Sequence, residues 1–382
     1  MPVLIRIVEC LLQLGFVALL NRRSGHDVWG RFSIWDGQLY AQIAHHGYPT
    51  SIHIDAAGQL TSGNNLAFSP LFPALIWPVS TITRLDITAA AIAISWISGC
   101  ALSVCVYLLA RDAAQSRQAG YLACALIGVL PMAVVLQMGY AEALFAALSA
   151  AAMLAATRNR WWLAATLAAL AGAARPIGYV VVAGLAVYGL LAIRSAAVPE
   201  EDGPAAHLNP RRPPGLLTLA ALCAVGLSGT LGYWIVVAIM TGRPTGWFYV
   251  ERVGWGTHFD GGRSAWQFVW STVTQPTEHP GLPIAFVVIL LIALAATVAS
   301  STIRADLPYG AIAFVTLASV LVSTNYWHSR ARLLLAAALI VVPLATRLRA
   351  INTAALLPYL GVAFVVSAWF GAFMITQWPY AI

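Results

Sequence analysis

A lone carboxylate set among aromatic side chains in a very apolar chain is a candidate for proton chemistry. The stretch "FSIWDGQLYAQIAHHGYP" at residues 32–49, soon after the first apolar run, holds a single acidic residue, Asp36. At helical spacing Trp35, Leu39, Ile43 and His46 share one face, while Asp36, Tyr40 and Ala44 share a neighbouring one. A carboxylate held there could take the proton of a hydroxyl nucleophile, typically worth about 10² to 10⁴ in rate. The plainer role for Asp36 or Ser33 is to cap the helix by accepting its first amide protons. The pattern alone does not separate the two.

Further along, "GYAE" puts Tyr140 and Glu142 at a helix start, where a carboxylate either complements the helix dipole or holds sugar hydroxyls and orients a cation. Arg175 lies between two apolar runs and precedes Pro176; a charge at such a junction pairs or functions, and Glu142 is an available partner. Arg330 and Arg332 open a helix beside His328, and their guanidinium forks suit bidentate binding of phosphate, although arginines there also snorkel to the interface. The loop 241–280 is dense in Trp, Gly and Arg, as expected of a cover stacking on a sugar or lipid headgroup and equally of an interfacial aromatic belt. Within it Glu251, His258 and Asp260 are second-rank candidates, with the loop carboxylates Asp55 and Asp86 below them. His45 and His46 with Asp36 are the one grouping that suggests a metal, but neighbours on a helix point about 100° apart and do not easily share an ion. No metal or other cofactor is expected.

The elements that must position these groups are written in the composition. The 382 residues are 60% hydrophobic and 9% charged, with a mean hydropathy of +0.78, whereas soluble domains carry roughly 25% charge. This is the composition of a polytopic membrane protein. All 21 basic residues are arginine and the net charge is +7; with no Arg cluster interleaved with aromatics on a soluble face, the excess reads as membrane orientation and argues against nucleic acid. Cys10, Cys100, Cys105, Cys124 and Cys223 all fall inside apolar runs, so neither a disulfide framework nor a zinc site is expected. No small-residue cleavage site follows the first apolar run, which reads as a retained helix.

With about 20 apolar residues needed per crossing, spans are expected near 3–20, 87–110, 119–137, 141–157, 161–174, 176–194, 216–240, 281–300, 308–324, 331–346 and 352–376. Residues 66–83 are apolar enough to cross but carry Pro70, Pro73 and Pro78, each of which lacks a backbone donor. Crossing there would scatter the polar sites over both faces. An interfacial or re-entrant segment would gather the loop 21–86, "GYAE", "ARP", the loop 241–280 and "YWHSRAR" on one face, which is expected because one site needs its groups together. The opposite loops, including 195–215, bear the arginines and would be cytoplasmic. The expectation is one integral membrane domain over 1–382, without internal repeats, whose two long loops are functional and extracytoplasmic.

"WDGQLYAQIAHHGYP" followed by "NNLAFSPLFPALI" resembles the signature of the PIG-V type mannosyltransferases: a Trp-Asp pair, an Ile-Ala-x-x-Gly-Tyr run, then Phe-Pro-Leu-x-Pro. "GYAEALFAALS" resembles that family's Tyr-Thr-Glu-Ser-Leu-Phe stretch, "ARPIG" its Arg-x-x-Gly site, and "HSRARLLLAAALIVVPL" its Pro-Arg-Tyr-Leu-x-x-x-x-Pro segment. The first half of the chain carries most of the likeness, with departures at Ser69, Ala141 and Ala143, where the pattern has Phe, Thr and Ser. The resemblance implies an all-α fold of the GT-C superfamily, with about 11 transmembrane helices and amphipathic helices in the first extracytoplasmic loop. It implies an inverting transfer of sugar, foremost mannose, from a polyprenyl-phosphate donor to a lipid or cell-envelope glycan acceptor at the plasma membrane. Asp36 matches the family's base. Arg330, Arg332 and Arg175 are then expected on the donor phosphate, and Trp35, Tyr40, Tyr140, Glu142, His328, His258 and Asp260 around sugar and acceptor, with membrane lipids as the other partners. The alternatives are arabinose, glucose or galactose as the sugar, or a lipid-linked sugar transporter, which predicts access from both faces and repeat symmetry that the sequence lacks.

Overall fold

Apolar runs can satisfy their backbone polar groups in a bilayer only by folding as helices, and helices dominate the computed structural model, which describes residues 1–22, 27–49, 52–55, 60–197, 213–275, 281–324 and 326–382. In chain order they are α1 (Pro2–Asn21), α2 (Asp36–His46), α3 (Leu71–Thr83), α4 (Ile87–Ala114), α5 (Arg117–Val129), α6 (Glu142–Thr157), α7 (Trp161–Ala174), α8 (Tyr179–Ala197), α9 (Leu216–Thr241), α10 (Gly246–Trp255), α11 (Arg263–Thr274), α12 (Gly281–Ser300), α13 (Leu307–Leu321), α14 (Arg330–Leu333), α15 (Val341–Leu348) and α16 (Thr353–Thr376). A short hairpin, β1 (His53–Ile54) with β2 (Leu60–Ser62), is the one sheet among the described residues.

Seven segments among the described residues are long and apolar enough to cross a membrane: α1, α4, Pro176–Ala196, α9, α12, Trp327–Leu348 and α16. The other expected spans are the shorter helices α5, α6, α7 and α13, which pack inside the bundle. The expected helix over 119–137 stops at Val129, because Pro131 holds Leu130 extended and Met132 turns left-handed at φ +61°; a 3-10 turn over Ala133–Gln137 follows. The expected helix over 331–346 is broken at Ala337, where φ −93° and ψ 16° leave the helical region. The expected cytoplasmic loop 195–215 lies mostly outside the described residues.

Segment 66–83 settles as the 13-residue α3, about 20 Å long at 1.5 Å per residue and short of a bilayer core of about 30 Å. Inside it Pro78 leaves one carbonyl without its helical donor. Loop 241–280 contains two helices rather than a simple cover: α10 and α11, both with exposed aromatic side chains.

Two packing features fix the ground on which polar groups stand. Between α7 and α9 the backbones touch: a Cβ added at Gly229 would lie 1.7 Å from the carbonyl oxygen of Ala169, the close approach that small residues permit in membrane bundles. Along α1 a buried stripe of Arg6, Glu9, Gln13 and Asn21 faces the bundle. There Arg6 pairs with Glu9 at 3.3 Å, and Gln137 donates from Nε2 to Gln13 Oε1 at 2.7 Å, which ties the 3-10 turn to α1 just before Tyr140.

Candidate active site

Asp36 is the first residue of α2, but its carboxylate does not cap the helix; it forms an ion pair with Arg332 of α14, 296 positions along the chain. The preceding turn makes this possible. Trp35 adopts φ +51°, a conformation that costs a non-glycine residue about 1–3 kcal/mol and persists where surroundings hold it. Here the hold comes from residues 139–140: the Gly139 amide donates to Phe32 O at 2.7 Å, and the Tyr140 hydroxyl donates to Ile34 O at 3.0 Å.

Arg175 is aimed by its neighbour. The residue before a proline is driven to extended backbone, and Arg175 at φ −146° and ψ 141° leaves the line of α7 just before Pro176. Its guanidinium pairs with Glu142, the first residue of α6, whose Oε1 also lies 3.6 Å from Arg332 Nε. The result is an alternating chain: Asp36, Arg332, Glu142, Arg175. Two carboxylates meet two guanidiniums, so the charges of this alternating chain balance. The side chains of Asp36, Arg332 and Arg175 keep 17%, 10% and 14% exposure, while Glu142 keeps 3%; the first three face the cavity and Glu142 stands behind them. Tyr140 lies beneath, its ring centroid 5.3 Å from the Arg332 guanidinium carbon.

The cavity is a cleft of about 180 Å³ lined by Asp36, Tyr40, Phe68, Arg175, Arg332, Glu251, Trp255 and Thr257 among others. Burial pushes the Asp36 carboxyl up, against the opposing pull of Arg332, and so makes it a stronger base than a solvated aspartate. Glu251 is pushed up to about 8 by burial first and the Asp36 charge second, with a hydrogen bond from Thr257 acting against both.

Of the residues singled out from sequence, Asp36, Tyr40, Arg175 and Arg332 line the cleft, with Glu142 and Tyr140 forming the layer beneath. Glu251 lines the cleft as well, and the others fall elsewhere. Arg330 is buried under α11, where its Nη2 donates to Ser264 Oγ at 3.0 Å, because residues two apart on a helix point about 200° from each other. Asp260 accepts from the Gly262 and Ser264 amides, both at 2.8 Å, and so secures the start of α11. His258 is exposed and bound through its backbone to Thr324, His328 is packed among Tyr326, Trp378 and Tyr380, and Trp35 packs against the core.

His45 and His46 do bring their ring nitrogens to 3.2 Å, contrary to the divergence expected of neighbours, but they are exposed and away from the cleft lining. No group of three or more His, Cys, Asp or Glu side chains that could hold a metal occurs among the described residues. Aromatic side chains of α9 and α10 staple these helices to residues 64–67, and Trp255 also lines the cleft. Trp247 and Trp255 donate to Ala67 O and Asn64 O, both at 3.2 Å, and the Tyr233 hydroxyl donates to Leu66 O at 3.0 Å. Glu251 rises from a second-rank position in the sequence to the cleft wall; its signal was that it is the one acid within an aromatic amphipathic helix.

No protein-family model and no curated protein matches the chain. Solved structures do. The apo oligosaccharyltransferase of Archaeoglobus fulgidus superposes with a TM-score of 0.52 over 99% of this chain and 56% of its own, at 12% identity. ArnT from Cupriavidus metallidurans gives 0.52 in the apo state, over 98% of this chain and 65% of its own at 16% identity. Bound to undecaprenyl phosphate, ArnT gives 0.51, over 95% and 63% at 13% identity. The chain thus spans between about half and two thirds of the length of these neighbours. It is an integral membrane protein with the fold of the GT-C membrane glycosyltransferases.

Proposed function

We propose that this protein is an inverting glycosyltransferase of the PIG-V type, moving mannose from a polyprenyl-phosphate carrier to a hydroxyl of a lipid or cell-envelope glycan at the extracytoplasmic face of the cell membrane. The observation that carries the reading is a buried base, Asp36, in one cleft with the guanidiniums of Arg332 and Arg175. The fold shared with ArnT bound to undecaprenyl phosphate supports a phosphate-borne lipid as the donor, and the motifs around Asp36, Glu142 and Arg175 support the mannosyl assignment.

In this reaction the acceptor oxygen attacks the anomeric carbon as its proton passes to Asp36. The bond from that carbon to the phosphate oxygen breaks, its electron pair leaving with the carrier phosphate, where Arg332 and Arg175 stabilise the charge. No covalent intermediate on the protein and no metal enters this scheme. The ion pair adds a control: a phosphate arriving at Arg332 competes with Asp36 for the guanidinium, so the base is released when the donor is in place. Tyr40, on the same face of α2 as Asp36, borders the sugar position.

The test is mannosyl transfer from radiolabelled polyprenyl-phosphate mannose into lipid and glycan fractions by membranes containing wild type or Asp36→Asn. Transfer is expected to fall by about 10²- to 10⁴-fold in the variant while the carrier still binds. Equal transfer by both would remove Asp36 from the reaction. Donors carrying arabinose, glucose or galactose, run in parallel, identify the sugar.

A further inference from the structure

The charges of the cleft balance without Glu251. Asp36 pairs with Arg332 and Glu142 with Arg175, and among the described residues Glu251 forms no ion pair. Yet it stands on the wall of the same cleft, carried by α10, and shares that cleft with the two guanidiniums. A third carboxylate ionised there would repel any phosphate that the arginines attract, which makes a plain acidic role costly. A carboxylic acid that keeps its proton does the reverse: its O–H donates to an anionic oxygen, one of the short and strong hydrogen bonds available to proteins.

We infer that Glu251 is a third phosphate-binding group, a protonated carboxylic acid that donates a hydrogen bond to the carrier phosphate in the cleft it lines together with Arg332 and Arg175. This rests on the reading of the cleft as a site for a polyprenyl phosphate. Burial and the neighbouring Asp36 charge push the Glu251 carboxyl up to about 8, so the acid form prevails at neutral pH. The charged and titratable groups that line the cleft with it are Asp36 and Tyr40 from α2, Arg175 before Pro176, Arg332 from α14, and Tyr326. Of the elements packed against α10, α9 presents Tyr233, while residues 60–67 contain no ionisable side chain. Burial pushes the Tyr40 phenol up, away from the neutral range.

The sign follows from the proton. Binding that needs the acid form is fully present below the folded value of about 8 and declines as pH rises through it. The decline approaches about tenfold per pH unit if the ionised form does not bind. The probe is farnesyl phosphate, a short polyprenyl phosphate whose second ionisation, near pH 6, is about nine-tenths complete at pH 7 and changes little above it. Its affinity for the detergent-solubilised full chain is measured by calorimetry from pH 7 to 9.5.

Wild type is expected to lose about tenfold or more in affinity across that range. Glu251→Gln, which keeps a donor but cannot ionise, is expected to bind several-fold more weakly at pH 7 and to show no decline. Glu251→Ala should bind more weakly still, also without a decline. A flat wild-type profile overturns the proposal, as does a decline that persists unchanged in Glu251→Gln; both leave the carrier-binding cleft standing. Absence of binding at every pH overturns the proposal together with the reading beneath it.

Discussion

Arg332 touches both halves of the charge chain, holding Asp36 and approaching Glu142. A planar fork can serve two acids at once; an ammonium cannot do so with the same geometry. Arg332→Lys is therefore expected to keep the fold but to bind farnesyl phosphate at least about tenfold more weakly, near 1.4 kcal/mol, as read by calorimetry. Arg332→Ala leaves Asp36 without its partner and Glu142 with one fewer, and removal of one member of a buried pair costs about 3–5 kcal/mol; its melting midpoint in detergent should fall well below that of Arg332→Lys. Sequence distinguished Arg332 from Arg330 poorly, since both read as basic residues at one helix start. Helix geometry separates them: side chains two residues apart cannot enter the same cleft, and Arg330 instead anchors α11 through Ser264. Asp36 was legible as a candidate from its aromatic setting, but its partner 296 positions away was not, because nothing local in a sequence encodes so distant a contact.

At the scale of elements, the seam between α7 and α9 is the least forgiving part of the bundle. Gly229 lies so close to Ala169 that one methyl group has no room, and a Cβ at Gly178 would fall 2.2 Å from the Gly172 Cα, on either side of Arg175. Gly229→Ala is expected to destabilise by about 1–3 kcal/mol or more, seen as a lowered melting midpoint, with Gly232→Ala on the same helix as a neutral control because nothing lies within 4 Å of its added Cβ. The helices themselves were readable, since long apolar runs in a bilayer have one backbone solution. Their interruptions were less so. Pro131 announced a break in the run from 119 to 137, but the left-handed turn at Met132 depends on packing of the Ala133–Gln137 turn against α1, and the break at Ala337 has no proline or glycine to mark it. The loop 241–280 concealed two helices because its Trp and Gly density fits a loop or an interfacial belt as well as it fits α10, stapled to residues 64–67, and α11.

For the whole molecule, four stretches separated along the chain converge on one face: the turn before α2, residues 139–142, Arg175 and the start of α14. In a background with its five cysteines replaced by alanine, His258→Cys is expected to react with an impermeant maleimide in intact cells, and Thr302→Cys, at the other end of α12 and α13, only after permeabilisation. The reverse pattern would invert the orientation. The paired guanidiniums also bear on the end of each catalytic cycle. In the proposed reaction the donor enters as a phosphodiester with a single charge and departs as a monoester carrying between about 1.5 and 2. On that reading Arg332 and Arg175 grip the spent carrier more firmly than the loaded one, and turnover is expected to slow as discharged carrier accumulates in the membrane.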